Sequence, residues 1–413
     1  MSSTATSSPP RSHSLWPIAL CWFAVALDGF DLVVLGAVIP TLDSTGALGF
    51  DSASLTMVAT VGLVGVGIGA VTIGPLTDRF GRRRSLIACI ALFSVLTLAV
   101  AVAPNVASFA VLRFLAGLGL GACLPTALAF MTEYARSGRA GAAVTRMMTG
   151  YHVGAVLTAL LALVVIPAFG WEAMFVIGGL LGLLSLPVMW AKLPESGAYL
   201  DAVARRETGT AERRTTSTAV VKGRYLRISL GLWIASFMGL LLVYGLNTWL
   251  PTIMEEAGYS LDAGLTLLLV LNIGAVIGLL VAGLISDSRG NKPTVLLWFG
   301  LAAVFLAVLS VRMDSSLLVH AAVLLAGMFV FSAQVLVYAF VGQLYPPEIR
   351  GTALGMSAGV GRLGAIVGPF LGGALVTAGI AYPWGFYAFA LAALLAVLAL
   401  STVPAVTNRR QAP

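Results

Sequence analysis

An all-α membrane protein is the fold class this sequence predicts, with twelve transmembrane helices in two pseudo-symmetric six-helix bundles. Three observations predict it. The chain is 59% hydrophobic and 10% charged, where soluble domains average about 25% charged. Its apolar residues gather into twelve segments, each near the roughly 20 residues that span a bilayer. Two loop sequences also recur at nearly one spacing, as expected of halves built from a repeat.

The twelve segments are 16–42, 54–77, 85–103, 106–133, 140–167, 171–191, 225–253, 262–286, 293–311, 316–344, 350–378 and 383–404. Residues Met1 to Ser14 are polar and rich in Ser and Pro. The run behind them is long and carries acids, so it reads as a retained span and not as a signal peptide. The tract 193–224 is polar, charged and Thr-rich without apolar periodicity. It reads as a cytoplasmic linker with room for a short surface helix. The expected domains are an N-terminal bundle at 1–192, the linker at 193–224 and a C-terminal bundle at 225–413.

Lys and Arg set the orientation. With the N-terminus inside, all 24 basic residues fall in cytoplasmic segments except Arg312, which lands outside, and Arg113, Arg146 and Arg362, which lie within spans. Both termini are therefore expected in the cytoplasm. The net charge of +7 comes from these loops, so it marks a membrane face and not a nucleic-acid partner. Cys21, Cys89 and Cys123 all lie in apolar runs and form no disulfide framework.

The repeat pairs Gly74-Pro-Leu-Thr-Asp78-Arg-Phe-Gly81 with Gly283-Leu-Ile-Ser-Asp287-Ser-Arg-Gly290, at an offset of 209. Tyr134 to Arg139 pairs with Tyr345 to Arg350 at an offset of 211.

Chemistry concentrates where charge enters the apolar spans. Asp28 and Asp31 share one face of the first span at i and i+3. Each ionised side chain costs roughly 2.5–3.5 kcal/mol at the centre of a membrane helix on insertion scales. The pair therefore reads as a proton or cation site on a wet cavity, or as acids neutralised by cations of neighbouring helices. Asp28 lies near the midplane, and His152 and Arg362 reach the same depth in the fifth and eleventh spans. At the 211 offset Arg362 falls opposite Tyr151, beside His152. Secondary transporters bind substrate at this level between repeats. Arg362 offers a planar fork for a carboxylate; its other reading is a salt bridge to Asp28 or Asp31. His152 is either a ligand or proton carrier, or a satisfied structural donor.

Arg113 needs an acid, and the first span offers one. Gly117 and Gly121 behind it form a small-residue stripe for close helix contact. Glu133, Arg136 and Arg139 end the fourth span, where they can meet the Asp78–Arg82 loop as a gate or stand as a solvated cluster. Tyr244, Asn247, Asn272, Gln334 and Tyr338 are spread over C-terminal spans, and some can contact a ring-bearing substrate. Trp249 and Tyr259 read as membrane-interface anchors. No Gly-x-x-x-x-Gly-Lys-Ser/Thr or His/Cys metal cluster is present in the sequence. ATP bound to this chain is thus not the expected energy source, and no cofactor is expected.

Gly74-x-x-x-Asp78-Arg79-x-Gly81-Arg82-Arg83, its degenerate copy at 283–292 and Arg113-x-x-x-Gly117-x-Gly119-x-Gly121 resemble motifs of the major facilitator superfamily. Asp28-Gly-Phe-Asp31 and Gly359-Val-Gly361-Arg362-Leu-Gly364-x-x-x-Gly368-Pro369 resemble its aromatic acid:proton symporters. The resemblance covers the whole chain. Pro194-Glu195-Ser196 fits the end of the sixth span in that family, but the Gly-Ala-Tyr that follows departs from it. Ser288 stands where an Arg is common, so no gating role is carried onto the second loop.

The resemblance implies a multi-pass protein of a bacterial inner membrane that imports a small aromatic carboxylate with protons by alternating access. Its expected partners are the substrate, protons and lipid, with no nucleic acid, and it is expected to act as a monomer. Substrate binding is assigned to Arg362, His152, Asp28, Asp31, Tyr244, Asn247, Gln334 and Tyr338. Asp31 is the first choice as proton carrier, then Asp28. Asp78, Arg82, Arg113, Glu133 and Arg136 are the gating set. A proton-antiport exporter would use the same acids. A non-transporting sensor is the rival of another class, and the short linker leaves it no output domain.

Overall fold

The computed structural model describes residues 15–50, 52–135, 139–207, 217–259 and 261–405. Its first bundle comprises α1 (Trp16–Thr45), α2 (Ser52–Phe80), α3 (Arg82–Val100), α4 (Val106–Tyr134), α5 (Ala140–Phe169) and α6 (Glu172–Lys192). A short amphipathic helix, α7 (Gly197–Glu207), follows. The second bundle comprises α8 (Gly223–Glu256), α9 (Leu261–Arg289), α10 (Asn291–Leu309), α11 (Ser316–Leu344), α12 (Pro347–Thr377) and α13 (Ala381–Ser401). Eleven of the described helices are long and apolar enough to cross a membrane. α5, at 30 residues, is the remaining long one. Each begins or ends within a few residues of the apolar run that predicts it, because hydropathy and helix length are set by the same bilayer. Leu157, Leu160, Leu284 and Phe370 are exposed on the outside, where lipid is the solvent.

Packing repeats between the halves. α1 lies on α5, α2 on α4, and α3 on α4 and α6; correspondingly α8 lies on α12, α9 on α11, and α10 on α11 and α13. Across the halves α2 meets α12 and α5 meets α9. Two glycine contacts position the midplane residues. A Cβ at Gly154 would stand 1.9 Å from the Ala26 carbonyl oxygen, so α5 presses Tyr151 and His152 toward Asp28. A Cβ at Gly364 would stand 2.0 Å from the Phe237 carbonyl oxygen, so α12 carries Arg362 against α8. The stripe at Gly117 and Gly121 does what its spacing predicts: both face α2 backbone.

Candidate functional site

A cavity of about 330 Å³ lies between the bundles at the level of Asp28, His152 and Arg362. All eight residues proposed for substrate contact except Asp31 line it, together with Asn272. Arg362 is buried and spends one N–H, from Nη1, on the Tyr244 hydroxyl at 2.8 Å. Three phenols, Tyr151, Tyr244 and Tyr338, stand within electrostatic reach of its guanidinium. The His152 ring sits 5.8 Å from that of Phe331. Asn272 donates to the Asn247 amide oxygen at 3.2 Å, which links α9 to α8. Asp28 is 1% exposed, and neither carboxylate oxygen has a hydrogen-bond partner among the described residues. A buried acid without a donor is costly, and here it shares a cavity with a buried cation.

The two acids of α1 have separate surroundings. Asp31 accepts from Thr97 Oγ1 at 2.9 Å and from Arg113 Nη1 at 3.0 Å. Arg113 has thus found its acid, and Asp31 is turned away from the cavity that Asp28 lines. The expectation that Asp31 contacts substrate does not match this geometry, because Asp31 is not among the residues that line the cavity. Nor does Arg113 join the gate: it lies 20 residues along α4 from Glu133. It lines a second cavity, of about 280 Å³, that shares Val33, Tyr151 and Tyr244 with the first.

The other gating residues that are described do meet, where α2 joins α3. Asp78 accepts from the backbone N–H groups of Gly351 at 3.0 Å and Thr352 at 2.9 Å, and from Thr352 Oγ1 at 2.7 Å. This carboxylate sits on the second turn of α12, near the helix N-terminus, where a helix dipole favours a negative charge. Arg82 donates to Glu133 at 2.8 Å and also to the Pro347 carbonyl. Arg350 reaches the same Glu133 oxygen at 3.3 Å. The two halves are therefore latched on the face that carries the basic loops. Arg136 lies outside the described residues.

Glu195 takes a part that no spacing signalled. It accepts from the Arg82 and Arg83 N–H groups at 2.8 and 3.1 Å, and so caps α3. The second loop also engages, although Ser288 argued against a role there. Asp287 accepts from the Ala142 N–H at 3.2 Å, on the first turn of α5. It lacks the buried arginine that backs Asp78, and it is partly exposed. Asp78→Asn should accordingly shift the protein toward the state open on this face, because charge-assisted bonds are worth about 1.5–3 kcal/mol. Asp287→Asn should shift it less. Cysteine-accessibility labelling from each side measures this, and equal labelling ratios in all three proteins would refute the ranking.

Trp249 is no interface anchor. Its Nε1 donates to the Pro369 carbonyl at 2.6 Å, inside the α8–α12 contact. Tyr259 ties two loops by donating to the Met313 carbonyl at 2.9 Å. Tyr151 and Phe331 are cavity residues that the sequence reading did not assign. The signal for Tyr151 was available, since it is the repeat partner of Arg362.

A family model of the Major Facilitator Superfamily matches residues 21–356 and 267–413. The chain is 35% identical to the gallate transporter of Pseudomonas putida, covering 97% of this chain and 95% of that protein. It is 38% identical to the gentisate transporter of Corynebacterium glutamicum, over 94% and 86% of the two chains. It is 31% identical to the benzoate transport protein of Acinetobacter baylyi, over 95% and 89%. Among solved structures, the proton:xylose symporter XylE bound to 6-bromo-6-deoxy-D-glucose superposes with a TM-score of 0.77 at 18% identity, over 95% and 96% of the chains. That likeness speaks for the fold. The chain belongs to the major facilitator superfamily: it is a multi-pass membrane transporter and not an enzyme.

Proposed function

We propose that this transporter imports a small aromatic carboxylate together with protons across a bacterial inner membrane. The observation that carries the reading is Arg362: a buried guanidinium in an aromatic-walled cavity, with one N–H spent on Tyr244 and an unpartnered acid, Asp28, in the same cavity. The remaining N–H groups of its fork match a carboxylate. Tyr151, Phe331 and Tyr338 offer ring faces and edges to an aromatic body. The relatives' named substrates, gallate, gentisate and benzoate, are acids of this kind.

The latches support alternating access. The Asp78 and Asp287 contacts close the face that carries the basic loops, which the distribution of Lys and Arg assigns to the cytoplasm. The second cavity is lined by Leu35, Gly36, Ile39, Ala59 and Gly62, on the parts of α1 and α2 away from the latched face, which supports an outward-facing reading. Substrate and proton enter from outside, the latches release, and both leave to the cytoplasm. The domains 1–192 and 225–413 act as the two moving bodies, with 193–224 joining them. The unit of transport is one chain, and the proton gradient supplies the energy with no cofactor.

Uptake of labelled 4-hydroxybenzoate into proteoliposomes under an inward proton gradient tests the reading. Accumulation that collapses with a protonophore is expected. Gradient-driven loss from preloaded vesicles with no uptake would reverse the assigned direction. Binding without flux would make the chain a sensor.

A further inference from the structure

Gln334 is a buried amide whose polar atoms complete no hydrogen bond of good geometry among the described residues. It is 3% exposed and lines the central cavity. Tyr338, one turn on along α11, brings its hydroxyl beside this amide without completing a hydrogen bond of good geometry. The amide fits because α8 makes room: a Cβ at Gly239 would stand 2.0 Å from Gln334 Oε1. A chain that opens a notch in one helix to admit an unpartnered amide from another has placed a polar group where apolar packing would cost less.

Its height relative to Arg362 says what it can read. α11 ends at Leu344 and α12 begins at Pro347, so both helices start from one level at the latched face. Gln334 lies 10 residues above that level and Arg362 15. Five residues of helix are roughly 7–8 Å. Side chains lean toward the N-terminus of their own helix, so on these antiparallel helices the guanidinium and the amide lean toward one another. Their separation falls toward the roughly 6 Å between the carboxyl carbon and a para oxygen of a benzoate. A substrate held by its carboxylate on Arg362 and pointing toward the latched face therefore brings its para position to Gln334.

We propose that Gln334 is a specificity residue that selects aromatic acids with a hydroxyl para to the carboxylate over the unsubstituted acid. The inference rests on the reading of the site given above. A phenolic hydroxyl both donates and accepts. It therefore satisfies Gln334 whether the oxygen or the nitrogen of the amide faces the cavity. A methyl group of similar size satisfies neither, and a hydroxyl ortho to the carboxylate stays beside Arg362. Sites with a buried polar group waiting for a substrate hydroxyl reject analogues that lack it, because that group is then left unpaired.

The test is competition against labelled 4-hydroxybenzoate by 4-hydroxybenzoate, 4-methylbenzoate, salicylate and benzoate in proteoliposomes. The wild type should prefer the para-hydroxy acid over the other three by roughly 10- to 100-fold. Gln334→Met keeps the bulk and removes the amide, and should bring the preference to within a few fold of unity. Gly239→Ala crowds the amide from behind without lining the cavity and should lower the preference in the same direction. The readout is the ratio of affinities within each variant, which cancels differences in protein amount. A wild-type ratio near one, or a ratio unchanged in both variants, would overturn the assignment of Gln334 while leaving the aromatic-acid reading standing. No affinity for any of the four acids would overturn that reading, and the inference with it.

Discussion

Arg362→Lys should weaken substrate binding by roughly 10- to 150-fold, the equivalent of about 1.5–3 kcal/mol for one lost charge-assisted hydrogen bond. The charge survives the change but the fork does not. Arg362 bonds Tyr244 through Nη1 while its other N–H groups remain for a carboxylate. An ammonium on a flexible stem cannot hold the phenol and present two parallel donors at once. The loss should appear as affinity, with protein amount in the membrane unchanged, because a buried cation still faces Asp28. Tyr244→Phe should show a smaller loss in the same direction, since it frees the guanidinium to rotate without removing a donor. Equilibrium binding of labelled 4-hydroxybenzoate to purified protein measures both. Wild-type affinity in Arg362→Lys would take the residue out of the site.

Much of this site is legible in the sequence. Depth along a membrane helix is nearly a count of residues, so Asp28, His152 and Arg362 could be set at one level from their helix ends. The repeat offset then set Tyr151 opposite Arg362. What the count leaves open is direction around the helix. Asp28 and Asp31 are three residues apart, and the rotation that gives Asp28 to the cavity gives Asp31 to Arg113 and Thr97. Hydropathy does not carry that choice; the glycines that seat α1 on α5 do. The second latch was illegible for another reason. Its loop motif lacks the arginine that marks the first, yet the part that reaches across to the other half is the aspartate, and that is retained. Glu195 was legible as part of a span end but not as a cap, because capping a helix more than a hundred residues away in sequence leaves no periodic trace.

Asp28→Asn should abolish gradient-driven accumulation while leaving exchange of substrate across the membrane intact. Substrate brings a negative charge into a cavity that already holds an acid without a hydrogen-bond donor. A proton on Asp28 removes the repulsion, leaves Arg362 to the substrate, and is released to the cytoplasm when the site reopens there. The coupling is a binding free energy and must be reciprocal. If one proton binds with the substrate, affinity in the wild type falls as pH rises, by at most about tenfold per unit. An amide mimics the protonated acid, so the Asp28→Asn variant should bind with an affinity flat in pH. It should run counterflow and fail to concentrate substrate against a gradient. Asp31→Asn should behave differently, since it leaves the buried Arg113 charge without its partner. Breaking such a pair costs about 3–5 kcal/mol, so the loss should be in folded protein and thermal stability, with the pH dependence of binding kept in what remains. The two variants thus separate a proton carrier from a structural ion pair within one helical turn. If Asp28→Asn still accumulates substrate in response to the pH gradient, the coupling proton travels by another group, and His152 on the same cavity is the next to test.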